Sequence, residues 1–468
     1  MLRTRYILAL LAVVPVVVST GAAPAPVRFL SIAHIMAPDM HTMREIDFTA
    51  FTHVMHGAIG PRPDGSLSIY IDTDQSEQMI SQAHAAGAKA YFTVMSGWSP
   101  QDDFDGAASP ENLKTFVANL VSFMTIRGYD GINLDWEPLE EPELQTRFKN
   151  LVAALRTALD HVSPRGEIAA EFYGTKDVVL AVQSSLDQIH LMTYDQAAPA
   201  FGTVKTWHNA ALHNPYDPHL VSIDDRVAEY AAAGIDLRKV TIGIPFYGVV
   251  WEGVTAPLET WTKAPATFQD SYRGIMDSYS GIGSYHWDSG ALVPYISIHA
   301  AAGAGDMFIS FDDPRSVAEK VKWAIAQGLL GVTMWHLNMG FNPNAPAGQK
   351  HPLVSAIKAA LPPPPPADAP TITPNGGVFT GPVTVTLASA TPNASIVYST
   401  DGSAPSVSYT GPFTVAGYAT VRAQASAPGL SASAVSSAVF TVKRIPAPRP
   451  VHIRPAASNK TPALALPH

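Results

Sequence analysis

Asp130-Gly131-Ile132-Asn133-Leu134-Asp135-Trp136-Glu137 alternates polar and apolar side chains with a period of two. In an extended strand successive side chains point to opposite faces, so Asn133, Asp135 and Glu137 share one face and Ile132, Leu134 and Trp136 the other. Carboxylates and an amide turned toward a protein interior are costly to desolvate, which suggests function. In a closed barrel the apolar set would pack against outer helices. The polar set would rise toward the C-terminal rim, where barrel enzymes hold their active sites. The same spacing also suits a solvent-facing strand edge, or a calcium site built from the same oxygens.

The flanking sequence repeats this strand in a regular rhythm. Runs rich in β-branched and aromatic residues predict strands at Val27–His34, Phe51–Ala58, Ala88–Met95, Tyr129–Trp136, Glu167–Tyr173, Asp187–Tyr194, Lys239–Phe246 and Leu330–His336. Amphipathic stretches between them, such as Glu111–Arg127, Glu143–His161, Asp224–Ala233 and Ser316–Gln327, predict helices. Gly87, Gly128, Gly234 and Gly328 each follow a helical stretch and precede a strand, the place of a left-handed helix cap. Strand, helix, glycine, strand is the pattern of βα units on a parallel sheet, and eight strands predict a (β/α)8 TIM barrel of the α/β class. A doubly wound open sheet shares the local rhythm. Val249–Asp306 is too long for a loop and reads as a subdomain inserted before the last strand. Five prolines at Pro362–Pro366 predict a stiff, extended linker. Short strands at Val383–Ala388, Ser395–Thr400, Phe413–Ala425 and Ser437–Lys443 then predict a small all-β sandwich. The expected organisation is an export signal over 1–25, the barrel domain over 26–360, a linker over 361–368, the sandwich over 369–443 and a Pro/Ala-rich unstructured tail over 444–468.

Composition excludes several classes of partner. The chain is 47% hydrophobic and 15% charged with a net charge of −9, and no run of Lys or Arg is present. That argues against nucleic acid and against a polybasic membrane anchor, whereas a neutral polymer would be indifferent to such a surface. Arg3 and Arg5, the apolar stretch Ile7–Val18 and the small residues Ser19–Ala23 read as a secretory signal, too short to span a bilayer. Cysteine is absent, so thiol chemistry is excluded, and export without disulfides suits a bacterium. The sequence carries no signal for an oligomeric state.

The segment resembles the signature D-G-x-D-x-D-x-E of glycoside hydrolase family 18, the chitinase family, and the similarity extends over most of the chain before the linker. Met192-Thr193-Tyr194-Asp195 matches the family's M-x-Y-D motif on the sixth strand, and Lys239 to Gly248 resembles its seventh. Phe311-Asp312-Asp313 and Gly331-Val332-Thr333-Met334-Trp335 are similar to the approach to the eighth strand and its tryptophan. The resemblance implies that Glu137 is the general acid and that the substrate's own acetamido oxygen attacks, giving an oxazolinium intermediate, a route outside the two-carboxylate scheme. It further implies that Asp135 orients the acetamido group and Tyr194 holds its oxygen. Asn133, Asp130 and Asp195 would support them, and Trp335, Met192, Trp98 and Tyr247 would contact sugar. The implied partners are chitin or N-acetylglucosamine oligosaccharides, with no metal or organic cofactor. Without its motif, Trp335 would read as core and Tyr194 as an ordinary buried tyrosine. His208 resembles a family loop beside the site, but a lone loop histidine is more often structural, and it stays outside the catalytic set.

Three departures from the family pattern stand out. Asn133 replaces the Asp of most active members; an amide cannot titrate, so Asp135 is expected to ionise more easily. Val94-Met95-Ser96-Gly97-Trp98 keeps only part of S-x-G-G-W, and Val249 stands where many members have Arg. From Pro370 onward the chain resembles the C-terminal domain of chitobiase and hexosaminidase proteins, through Pro374, Gly376-Gly377, Thr391-Pro392, Tyr398-Ser399-Thr400-Asp401-Gly402 and Tyr409. All 8 tryptophans precede the linker, which favours a spacer or cell-surface module over a sugar-binding one. Rival readings are a hydrolase of peptidoglycan or of the N-glycan chitobiose core, and a catalytically silent lectin on the same barrel. Binders of that sort typically lose the acid, and Glu137 is present.

Overall fold

A computed structural model describes residues 29–443 apart from 37–44, 98, 100, 200, 201, 262 and 301–304. The expected export signal, the tail and Trp98 lie outside the described residues. Eight parallel strands close into a barrel. They are β1 (Leu30–Met36), β2 (His53–Pro61), β3 (Lys89–Met95), β4 (Gly131–Asp135), β5 (Glu167–Phe172), β6 (Gln188–Leu191), β7 (Val240–Pro245) and, after an insertion, the final strand Gly331–Trp335. Closure comes from β1, which pairs in parallel with β2 on one side (Ile32 opposite His53) and with the final strand on the other (Leu30 opposite Gly331). The open-sheet alternative is thereby excluded, since closure leaves no free edge.

The strand alternation sets what faces where. Ile132 and Leu134 of β4 join the outer core, and Trp136 stacks on Phe104 (ring centroids 4.7 Å apart) and meets Phe148 edge-on. Phe148 lies on the helix Pro142–Leu159, whose buried residues Phe148, Leu151, Val152, Leu155 and Leu159 follow helical spacing along one stripe. Burying each such side chain contributes roughly 1.5–3 kcal/mol, so these stripes fix the helices around the strands. Pro142 starts that helix where its missing N–H costs nothing. Gly87, Gly128, Gly234 and Gly328 all adopt positive φ at the turns into the following strands, as expected of left-handed caps.

The insertion forms its own five-stranded antiparallel sheet, made of β8 (Tyr247–Glu252), β9 (Thr267–Ser271), β10 (Ser284–Asp288), β11 (Val293–Ile298) and β12 (Met307–Ser310) in the order β9-β8-β12-β11-β10. Its core of Trp207, Val249, Trp251, Val293 and Phe308 takes in Val249. His208 is buried between Ser310 Oγ (3.2 Å) and Asp288 Oδ2 (3.1 Å), tying a barrel loop to this sheet. The Asp312-Asp313 pair has structural work. Asp312 is buried in an ion pair with Lys320, and Asp313 caps the helix Pro314–Ala326 in a reciprocal capping box with Ser316.

After the barrel, the chain makes a three-stranded and a five-stranded sheet over a shared core that includes Val385, Val421, Ala423 and Phe440. The strand expected at Phe413–Ala425 is two strands. Phe413–Val415 pairs with Val383–Val385 and Ala419–Ser426 pairs with Ser395–Ser399, so the break between them moves the chain from one sheet to the other. Tyr398 stacks on Phe413 at 4.4 Å and Tyr409 accepts a hydrogen bond from the Leu387 N–H, so these aromatics serve the core. The prolines Pro362–Pro366 do not stand free: they line a hollow with Phe29, Phe51 and Lys358 at the N-terminal end of the barrel. There the loop at Pro428 and Gly429 lies so close to Gly87 that a side-chain carbon at 87 would come within 2.4 Å of it.

Candidate active site

At the C-terminal rim of the barrel is a cavity of about 570 Å³. Its walls include Met95, Asp135, Glu137, Glu171, Tyr173, Met192, Tyr194, Asp195, Tyr247, Gln269 and Trp335. Glu137, Asp135, Tyr194, Asp195, Met192, Tyr247 and Trp335, singled out in the sequence, therefore converge here from β4, β6, β8 and the final strand. Asp130 does not. It sits at the opposite end of β4, where it accepts from the Ala90 N–H (2.8 Å) and meets His84 Nε2 (2.8 Å). Asn133 is fully buried one layer below the cavity floor.

Tyr194 packs edge-on against Tyr247, with ring centroids 5.9 Å apart. Its ring lies over Gly243 of β7, where a side-chain carbon would come within 2.6 Å of it; this glycine makes room for the tyrosine. Burial and the nearby Glu171 charge hold the Tyr194 hydroxyl neutral, far above the ordinary phenol range. Asp195 accepts from Tyr247 Oη (2.8 Å) and Gln269 Nε2 (3.1 Å), and its backbone takes a left-handed φ of 54°. Trp335 stands beside His34 with centroids 5.0 Å apart.

The carboxyl groups repel one another here. Glu137 is pushed up to about 7 by desolvation, by Glu171 and by Asp195, although its side chain is open to solvent at the cavity mouth. Asp135 is buried and raised well above the usual range by desolvation, then by Glu171 and Glu137. An amide at 133 therefore does not free Asp135 of a like-charged neighbour. The like charge is still present, but it comes from Glu171 on β5. Burial alone would raise Glu171, yet His190 and His34 hold its carboxyl well below the ordinary range.

Glu171, His34 and His190 were missed in the sequence. The signal was there: Glu167, Ala169 and Glu171 alternate on β5 as the residues of β4 do, and His190 interrupts the apolar run Ile189 to Leu191. Each of the three brings one ligand-type atom to within 4.8 Å of the others, with all three side chains buried. A column of hydrogen bonds leads to them from the barrel's N-terminal end. Lys89 pairs with Glu167, Tyr91 donates to Glu167, Gln188 Nε2 donates to Tyr91 Oη (3.1 Å), and Gln188 Oε1 meets His190 Nε2 (3.0 Å).

A closed parallel barrel with carboxyl groups gathered at its C-terminal rim, one of them raised to about 7, has the acid–base equipment of a barrel hydrolase. Residues 36–340 match Glycosyl hydrolases family 18, and the chain belongs to that family. Residues 374–437 match the chitobiase/beta-hexosaminidase C-terminal domain. A class V chitinase of Arabidopsis thaliana is 30% identical over 249 residues, an alignment covering 50% of this chain and 65% of that protein. Chitinase 1 of Aphanocladium album is 26% identical, covering 62% of this chain and 76% of that one. A mutant class V chitinase from Nicotiana tobaccum, solved in complex with NAG4, shares the fold with a TM-score of 0.59 at 22% identity, over 71% of this chain and 99% of that one. Among the described residues no helix is long and apolar enough to cross a membrane.

Proposed function

We propose that the protein is a chitinase that hydrolyses β-1,4 bonds between N-acetylglucosamine units with retention of configuration. The observation that carries this reading is Glu137, a carboxyl held at about 7, in one cavity with Asp135, Tyr194 and Trp335. Glu137 protonates the leaving glycosidic oxygen as the acetamido oxygen of the same sugar attacks its anomeric carbon. The C–O bond to the leaving sugar breaks, a C–O bond to the acetamido oxygen forms, and the product is an oxazolinium ion. Asp135 accepts the acetamido N–H and stabilises the positive charge that develops there. The neutral Tyr194 hydroxyl donates to the acetamido oxygen and keeps it in line. Trp335 offers an apolar face to the distorted ring. Water then opens the intermediate, with Glu137 taking its proton.

The relatives named as chitinases and the fold neighbour bound to NAG4 support this substrate class. The basic and apolar N-terminal stretch supports export as the route to an extracellular polymer. The test is release of product from N-acetylglucosamine oligomers, with anomers followed by NMR and Glu137→Gln as control. Wild-type release of the β-anomer, with Glu137→Gln inactive, is expected. Wild type releasing no more than the mutant would leave a sugar-binding barrel, and activity confined to peptidoglycan or the N-glycan core would change the polymer.

A further inference from the structure

A chain of hydrogen bonds leads up the barrel interior to Glu171, beneath the cavity. Tyr91 gives its hydroxyl proton to Glu167, so its oxygen is left to accept from Gln188 Nε2. That turns Gln188 Oε1 toward His190 Nε2, and this nitrogen must donate. His190 Nδ1 faces Glu171 Oε1 at 2.8 Å. With Nε2 committed to Gln188, Nδ1 is the ring atom left to meet Glu171, whose carboxyl its neighbours hold well below the ordinary range. Asn133 Nδ2 donates to the same Glu171 oxygen at 3.1 Å. His34 Nε2 lies 3.1 Å from it, off the line of a hydrogen bond. Three nitrogens converging on one oxygen is the way a buried anion is held.

We propose that Glu171 is a positioning residue for hydrolysis: a fixed anion under Asp135, supplied by β5 in place of the carboxylate that β4 lacks at position 133. The proposal rests on the chitinase reading above and adds to it. The groups that face Glu171 are His34 from β1, Asn133 and Asp135 from β4, and His190 from β6, with Glu137 and Tyr194 at the rim above. The Glu171 charge keeps protons on Asp135 and Glu137 in the empty cleft, and it favours the positive charge of the oxazolinium ion as that forms. Asn133 fits this arrangement for a physical reason. Its Nδ2 gives Glu171 a hydrogen bond that a carboxylate could not give, and a charge at 133 would confront Glu171 across that same short gap.

The experiment moves the charge between strands. Glu171→Gln, Asn133→Asp and the double variant are compared with wild type by pH profiles of kcat and kcat/KM on soluble oligomers, with thermal melts to check folding. Glu171→Gln should shift the alkaline limb of kcat/KM to lower pH by about one unit, which is about tenfold in rate above the limb, while KM changes little. Asn133→Asp alone, with two facing carboxyl groups, should lose activity at neutral pH. The double variant, with one anion now on β4, should return the limb toward its wild-type position. A Glu171→Gln limb coincident with wild type, or a double variant no closer to wild type than Glu171→Gln, would overturn the proposal. Should Glu171→Gln fail to fold, the double variant decides alone, by whether its limb matches wild type. An inactive wild type would instead count against the chitinase reading itself, so the two failures are distinguishable.

Discussion

Replacing Asp195 by Asn tests the electrostatics of the acid directly. Asp195 is one of two carboxylates that raise Glu137, and Asn is isosteric, keeps an acceptor for Tyr247, and tolerates the left-handed backbone at 195. At about pH 6 a carboxyl titrating at about 7 is about 90% protonated, whereas one at the ordinary 4.5 is about 3% protonated, roughly a thirtyfold difference in competent acid. Removing a negative neighbour favours the ionised form, so the Glu137 value must fall and the alkaline limb must move to lower pH. Because Glu137 is open to water in the empty cleft, kcat/KM, which reports free enzyme, should show the wild-type limb at or below about 7. The limb in kcat, which reports the filled cleft, should lie at or above it, since bound sugar removes the screening water. The assay is a pH series with a fluorogenic chitobiose substrate, with kcat and KM separated at each point. A wild-type limb close to 4.5, or an Asp195→Asn limb no lower than that of wild type, would refute the reasoning.

Further outcomes follow from packing. Asp312→Asn leaves Lys320 as a buried, unpaired cation and should destabilise the fold by about 3–5 kcal/mol in denaturant unfolding; adding Lys320→Met should restore most of that. Gly243→Ala should displace the Tyr194 ring and lower kcat more than it raises KM, because the added carbon meets the ring rather than the sugar. Trp335→Ala, which removes the apolar face beneath the sugar, should weaken oligomer binding by about 1–3 kcal/mol in calorimetry with an inactive Glu137→Gln background. A chain ending near Leu361 should still bind insoluble chitin in pull-down, because the C-terminal sheets meet the barrel at Gly87, far from the cavity rim; lost binding would make those sheets a sugar-binding module.

The rim residues were legible because strand alternation is local. Once Asp130–Glu137 is extended, Asn133, Asp135 and Glu137 must share a face, and the repeated strand-helix-glycine rhythm leaves few ways to arrange eight strands. All eight barrel strands and the four caps at Gly87, Gly128, Gly234 and Gly328 could be read this way, since periodicity and backbone freedom belong to single segments. The strand at Phe413–Ala425 was misread for the same reason: a continuous β-forming run does not say which sheet each half joins.

Sequence alone therefore determined the eight strands and their βα rhythm, the face that carries Glu137, and the amide at 133 as a departure. Closure, with β1 held between β2 and the final strand, was decided by tertiary structure. So was the electrostatic setting of Asp135. The charge that perturbs it stands on a different strand, 38 positions from Asn133 along the chain, and is held there by histidines from two further strands. Which side chains meet inside a barrel depends on the register between strands, and register is fixed only when the sheet closes on itself.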